Sequence, residues 1–293
     1  MNNNKEEQCI DFVIIPAAGY GTRLLPGSKA IPKEMFPIIN KPAIEYIVEE
    51  ACSSGLNSIV LITSKNKDSI VDHFDSSKEL ESLLKEKKKD EYLEFINRYK
   101  HMNFINIRQK EALGLGHAVY TGHNVLSNKP FVVILPDMLI KNGSFHLKKM
   151  LDLYKKHGKG VIALMKVPKH TVSSYGIVAG NLIDTNLIDI KDLVEKPKID
   201  QAPSDLAILG RYILPYNTMN ILKDGKPDHS GEIQLTNGLI QLAKTEGLLG
   251  YVVEGEIYDI GNPTGFLKAN ISYALDDPKL KDEINNFIDI LRK

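Results

Sequence analysis

Cysteine is scarce in this chain, and neither sign of charge prevails. Of its 293 residues only Cys9 and Cys52 are cysteines, too few for a disulfide framework or a cysteine metal centre. Lys plus Arg and Asp plus Glu both number 37, so no net field recruits nucleic acid or an anionic membrane, and clusters of cations have to be read locally. No apolar run approaches the roughly 20 residues that cross a bilayer, and Met1–Gln8 lacks the apolar centre of a signal peptide. Internal repeats and low-complexity stretches are absent. The eight histidines form no Ser/His/Asp or metal-ligand spacing, and His117, His123 and His229 read as structural or surface residues. These absences describe a protein of the reducing cytosol with no nucleic-acid or membrane partner. The length allows one large domain or two small ones, with ample core either way.

What is present is concentrated near the start. The apolar run Ile10–Ile15 reads as a buried strand, and Pro16-Ala-Ala-Gly-Tyr-Gly-Thr-Arg-Leu leaves it as a loop of small residues. Gly19 and Gly21 allow backbone N–H groups to approach a ligand, while Arg23, Lys29 and Lys33 supply cations along the same loop. The dinucleotide fingerprint is excluded, because it needs a small residue where Leu24 stands and an acid after the next strand, which ends Ser64-Lys65. The P-loop is excluded as well, since Gly27-Ser28-Lys29 has the wrong order. A bare Gly-x-Gly is often only a tight turn. With three cations beside it, a nucleoside triphosphate site is the better reading.

Strand-like and helix-like segments alternate through the first half, which predicts an α/β fold, a Rossmann-like mixed and mainly parallel sheet flanked by helices. The patterns predict a helix over 42–54, strands over 58–63, 103–108 and 131–135, and a helix over 117–126 entered from Gly114-Leu-Gly116. Residues 77–100 read as two charged helices meeting near Asp90, their lysines a solvated face. Beyond a helix over 144–157 the connections shorten. Strands are expected over 160–167, 175–180, 187–195, 207–214, 248–253 and 256–260, with helices over 232–246, 263–274 and 280–291. No linker separates two domains, so the whole of 1–293 reads as one domain. Its parts are 10–140 for the nucleotide, 141–262 for the second substrate and 263–293 for closing helices.

Three further places could carry chemistry. Asp137 follows the strand at 131–135, at the carboxyl end where open α/β sheets bind ligands; on its own it is equally a turn or cap residue. Asp259 in Tyr-Asp-Ile-Gly-Asn is by itself a routine turn aspartate. Glu195-Lys196-Pro197 ends a strand that Pro197 cannot simply continue, and such a pair is commonly just surface.

The segments Gly19-Tyr-Gly-Thr-Arg-Leu-Leu-Pro, Lys29-Ala-Ile-Pro-Lys-Glu-Met-Phe-Pro and Asn40-Lys-Pro-Ala-Ile-Glu-Tyr resemble the N-terminal block of the sugar-phosphate nucleotidyltransferases. Within that family they are most similar to the bacterial uridylyltransferase branch, with Gly27-Ser28 a mild departure from its usual Ala-Thr. The resemblance implies that UTP and glucose 1-phosphate become UDP-glucose and pyrophosphate. Arg23, Lys33 and Lys196 would be the catalytic cations, and Asp137 and Asp259 the ligands of one Mg2+. Ala17, Ala18, Gly19, Gly21, Glu34, Gln109, Gly114, Gly116, Asp137, Gly176, Glu195 and Lys196 would bind substrate. Among these, Gln109 and the glycine backbone would read uracil, Glu195 the sugar hydroxyls and Lys196 the sugar phosphate. Gly176 and the run Leu206–Tyr212 resemble sugar-side segments, whereas Gly231-Glu-Ile-Gln-Leu-Thr236 reads first as a helix start. A homodimer or homotetramer is implied too. Close alternatives are dTTP or another hexose 1-phosphate as substrate, and a catalytically silent nucleotide-sugar-binding subunit. An amide offers both donor and acceptor, so Gln109 distinguishes uracil from cytosine only if neighbours fix its orientation.

Overall fold

A computed structural model describes residues 9–292; Met1–Gln8, the stretch without a signal-peptide centre, and Lys293 lie outside the described residues. The chain runs β1 (Phe12–Pro16), β2 (Pro37–Ile38), β3 (Lys41–Pro42), α1 (Ala43–Ser53), β4 (Ser58–Thr63), α2 (Asp68–Asp72), α3 (Lys78–Glu86), α4 (Asp90–Asn97) and β5 (Asn103–Arg108). It continues through α5 (Leu115–Thr121), β6 (Phe131–Ile134), β7 (Met138–Ile140), α6 (Gly143–His157), β8 (Gly160–Lys166), β9 (Gly176–Asp184) and β10 (Leu187–Glu195). Last come β11 (Leu206–Leu214), α7 (Asn217–Lys223), α8 (Leu235–Thr245), β12 (Leu248–Val252), β13 (Ile257–Asp259), α9 (Pro263–Asp276) and α10 (Lys281–Leu291).

Nine strands form one sheet in the order β5-β4-β1-β6-β11-β8-β12-β10-β9. The block β5-β4-β1-β6 is parallel, and β11 joins β6 antiparallel, so the earlier and later strands of the chain share a single sheet. Strand side chains alternate between faces, and that alternation splits the core in two. Val13, Ile15, Ile59, Leu61, Val132 and Ile134 pack on the α1 and α6 side, whereas Ile14, Val60, Ile62, Phe131 and Val133 pack on the α5, α7 and α8 side. Burial on both faces explains why these strands read as unbroken apolar runs. Among the described residues no helix is long and apolar enough to cross a membrane.

Three differences from the sequence reading bear on the site. The helix expected over 232–246 starts only at Leu235. Glu232–Gln234 is extended, because Ile233 donates its N–H to Leu113 and accepts from the N–H of Gly116, both at 2.8 Å. The helix expected over 117–126 is α5 followed by a short 3₁₀ turn at His123–Val125. Strand β7 and helices α2 and α7 went unforeseen; β7 has three residues and exists by pairing with β13, a partner no local pattern reveals.

Candidate active site

The site begins where β6 ends. After Ile134 the chain turns through Leu135 and Pro136 to Asp137 and enters β7, which pairs antiparallel with β13 so that Met138 faces Asp259. The N–H of Ile260 donates to the Asp137 carbonyl at 2.9 Å. This short ladder brings together two aspartates far apart in sequence. A Cβ built on Gly261 would lie 2.9 Å from Arg23 Nη2, 3.0 Å from Asp259 Oδ1 and 3.2 Å from Asp137 Oδ2. Both carboxylates and the guanidinium thus surround one point, and only glycine leaves it open.

Two cations of the first loop complete the cluster. Lys33 Nζ donates to Asp137 Oδ2 at 2.7 Å, while Arg23 lies 4.0 Å from Asp137 and 3.7 Å from Asp259. Burial alone would raise the Asp137 carboxyl, but the charges of Lys33 and Arg23 outweigh it and hold the group below its ordinary range. Burial alone would likewise lower Lys33; Asp137 and Glu34 outweigh that and push it up. Both stay ionised at neutral pH. Gly21 makes the turn behind them with φ +66°, a conformation that suits glycine, and its carbonyl accepts from the Ser28 hydroxyl at 2.7 Å. Ala17 and Ala18 are buried at the foot of the loop, the Cα of Gly19 faces open space, and Lys29 is exposed. Glu34 turns inward: it is 2% exposed, its Oε2 accepts from Lys67 at 2.6 Å, and its Oε1 is buried without a partner among the described residues.

At the end of β5, Gln109 sits under the N-terminus of α5. Its Nε2 lies 3.2 Å from the Gly114 carbonyl, an acceptor only, and 2.9 Å from His117 Nδ1. The amide nitrogen therefore donates to both, and His117 carries its proton on Nε2. The orientation left open by sequence is fixed, and His117 is what helps fix it. Gly114 has φ +93°, and a Cβ on Gly116 would lie 2.7 Å from the Ile233 carbonyl, so the second of these glycines admits the strap 232–234 that leads into α8, rather than a ligand.

The strap leads to the third group of residues. Thr236, in the first turn of α8 just after it, donates its hydroxyl to Glu195 Oε2 at 2.6 Å. Gly176 pairs with Glu195 across β9 and β10, and a Cβ there would sit 3.1 Å from the same oxygen. Lys196 holds φ +43°, unusual for a residue with a side chain; its N–H donates to the Tyr175 carbonyl at 3.0 Å, and its 60%-exposed side chain lies 3.7 Å from Glu195. Two tyrosines lie near the groups, Tyr212 buried and Tyr175 half-buried: Tyr212 is raised by burial and then by the charges of Glu195 and Asp137, and Tyr175 by burial and then Asp259.

The structure thus gathers Arg23, Lys33, Asp137 and Asp259 in one cluster, Gly176, Glu195 and Lys196 in a second, and Gln109 with Gly114 in a third. Glu34 faces away toward Lys67. Among the described residues no three His, Cys, Asp or Glu side chains converge as a metal cage. Two carboxylates are too few for a structural zinc, but they suit Mg2+, which is commonly held by one or two carboxylates plus substrate phosphates. The sequence placed Thr236, Arg211 and Gly261 only within the runs 231–236, 206–212 and 258–262 without a role of their own, and it read His117 as structural or surface, where the structure sets it against Gln109.

A model of the nucleotidyl transferase family matches residues 12–275. The chain belongs to that family. This nucleotidyl transferase is 44% identical over 280 residues to a UTP–glucose-1-phosphate uridylyltransferase of Staphylococcus haemolyticus, which covers 95% of this chain and 97% of the relative. A solved UTP-bound UGPase from Acinetobacter baumannii superposes with a TM-score of 0.88 at 40% identity, covering 96% of this chain and 99% of that one. A UDP-glucose pyrophosphorylase solved with UDP-glucose gives 0.85 at 39% identity, over 92% and 100% of the two chains.

Proposed function

We propose that this nucleotidyl transferase is a cytosolic UTP–glucose-1-phosphate uridylyltransferase. The observation that carries the reading is the convergence of Asp137 and Asp259 with Arg23 and Lys33 around one open point. Such transfer needs little covalent help from protein; it needs positioning and neutralised phosphate charge. A phosphate oxygen of glucose 1-phosphate attacks the α-phosphorus of UTP, the bond to the bridging oxygen of the β-phosphate breaks, and pyrophosphate leaves. The attacking oxygen is already anionic, so no general base is required.

Asp137 and Asp259 would hold Mg2+, which, when bound, neutralises charge on the phosphate oxygens. Arg23 and Lys33 bind the triphosphate, with the backbone of Ala17, Ala18, Gly19 and Gly21 as the loop's floor. Lys196 takes the sugar phosphate as a compact point charge. Glu195, with Oε2 held by Thr236 beside Gly176, keeps Oε1 to accept from sugar hydroxyls. Gln109 and the backbone of Gly114 face the base, whereas Gly116 gives its N–H to Ile233 and Glu34 pairs with Lys67 away from the cluster. In this reading, residues 10–140 serve the nucleotide, 141–262 the sugar phosphate, and 263–293 close the domain. Exposed apolar side chains on α4 and α10, among them Phe95 and Phe287, support a homodimer or homotetramer.

The test is pyrophosphate release with UTP, dTTP and CTP against glucose and galactose 1-phosphates, with and without Mg2+. UTP with glucose 1-phosphate and Mg2+ is expected to be the best combination. No release with that pair, or a clear preference for another, would overturn the proposal.

A further inference from the structure

Arg211 lies in the middle of β11 and is 1% exposed, among the largest fully buried side chains among the described residues. A buried guanidinium persists only where partners meet its donors. Nε and Nη2 each donate to Glu50 at 2.8 Å, Nη2 also to the Met138 carbonyl at 2.8 Å, and Nη1 to the Leu135 carbonyl at 3.3 Å. Leu135 stands two residues before Asp137 and Met138 one after it. The fork therefore grips both ends of the turn that carries the carboxylate.

The grip is itself held. Glu50 comes from α1 and is buried, and Gly143 at the start of α6 makes room for it, since a Cβ there would lie 2.3 Å from Glu50 Oε2. From the β11 side, the Gly210 carbonyl accepts from the Leu135 N–H at 2.8 Å. Packing alone does not explain the pair, because apolar residues of similar volume fill such a space as well or better. What they cannot do is bond two carbonyls on either side of one aspartate.

We propose that Arg211 and Glu50 are positioning residues: they set the turn Leu135–Met138 and, through it, the direction of the Asp137 carboxylate. The pair bonds neither Arg23 nor Lys33 nor the Asp137 carboxylate itself, and the inference rests on Asp137 being a working carboxylate of the proposed reaction. The effect expected is that of an outer-shell partner of a metal ligand, about 10–100-fold in activity or metal affinity.

The test is the compensated variant Arg211→Met/Glu50→Met, which keeps volume and removes both charges. It is expected to fold, to exchange the amide hydrogens of 135–140 about tenfold faster or more in the ligand-free protein, and to lose about 10–100-fold in kcat with KM values little changed. Should the double variant not fold, Arg211→Lys keeps the charge against Glu50 but cannot span both carbonyls, and the same readouts apply. A folded variant with wild-type exchange and wild-type kcat overturns the inference. Asp137→Asn is measured alongside. If it retains full kcat, the role given to Asp137 is wrong, while amide exchange still reports on the clamp by itself.

Discussion

Lys196 separates backbone from charge in a way that stability and turnover can read apart. Its φ of +43° is a left-handed conformation, which costs a residue with a side chain about 1–2 kcal/mol. Glycine escapes that cost but gives up about 0.5–1 kcal/mol of unfolded-state freedom. Lys196→Gly and Lys196→Ala both delete the ammonium, so their difference isolates the backbone, and glycine is favoured by about 0.5–1 kcal/mol. The lost ion pair to Glu195 is long at 3.7 Å and solvent-exposed, a kind of pair that contributes about 0–1 kcal/mol in both variants. At about 2.1 cal/mol/K per residue, 293 residues give an unfolding entropy near 0.6 kcal/mol/K, and so a Tm gap of roughly 1–2 °C. Calorimetry is expected to place Lys196→Gly above Lys196→Ala, while steady-state kinetics find kcat reduced roughly a hundredfold in both. An alanine variant more stable than the glycine variant by about 0.5–1 kcal/mol would show that the strain is absent. A glycine variant with near-normal turnover would show that the charge is not used.

The pH dependence of stability follows from the cluster. The folded Asp137 carboxyl lies below its ordinary 3.8, so its contribution is fully present above that pH and is lost as pH falls through the lower folded value. Folded Lys33 lies above 10.5, so its contribution is present below that pH and is lost as pH rises through the folded value. Urea titrations of wild type and Asp137→Asn are expected to diverge at neutral pH and to converge in acid; a gap independent of pH would contradict the pairing. Gly116→Ala would place a methyl 2.7 Å from the Ile233 carbonyl, and such overpacking costs about 1–3 kcal/mol. Because the displaced strap touches the base-side loop and, through Thr236, Glu195, the KM values of both substrates are expected to rise. A rise for UTP alone would show that the strap does not join the two sides.

Much of the sheet was legible because strands β1, β4 and β6 are buried on both faces and so read as apolar runs. Asp137 stands at the end of such a run, yet by position alone it was a turn or cap residue like Asp259, and only the resemblance singled out the two. What the sequence did not show is how they meet, through the three-residue pairing of β13 with β7 that only the folded chain creates. The run 231–236 misled because Ile233, Leu235 and Leu239 have helical spacing, yet the first of them gives its backbone groups to Leu113 and Gly116. Arg211 was hidden inside a run whose neighbours suggest the sugar side. Its side chain leaves β11 toward Glu50, a direction that follows from strand alternation once the register of β11 on β6 is known.

The two cations of the first loop are unequal, and the difference follows from their surroundings. Lys33 is 15% exposed and bonded to one Asp137 oxygen, so it offsets the rise that burial alone would give that carboxyl. Arg23 is 59% exposed and stands 4.0 and 3.7 Å from the two aspartates, beyond hydrogen-bond reach of either. It supplies field to both without being committed to one. A planar guanidinium in that position keeps its fork of donors available for phosphate oxygens. In the ligand-free chain the cluster balances two anions with two cations, one fixed and one free to be shared. In the proposed reaction the triphosphate meets Arg23 first, while Lys33 enters it already paired with Asp137.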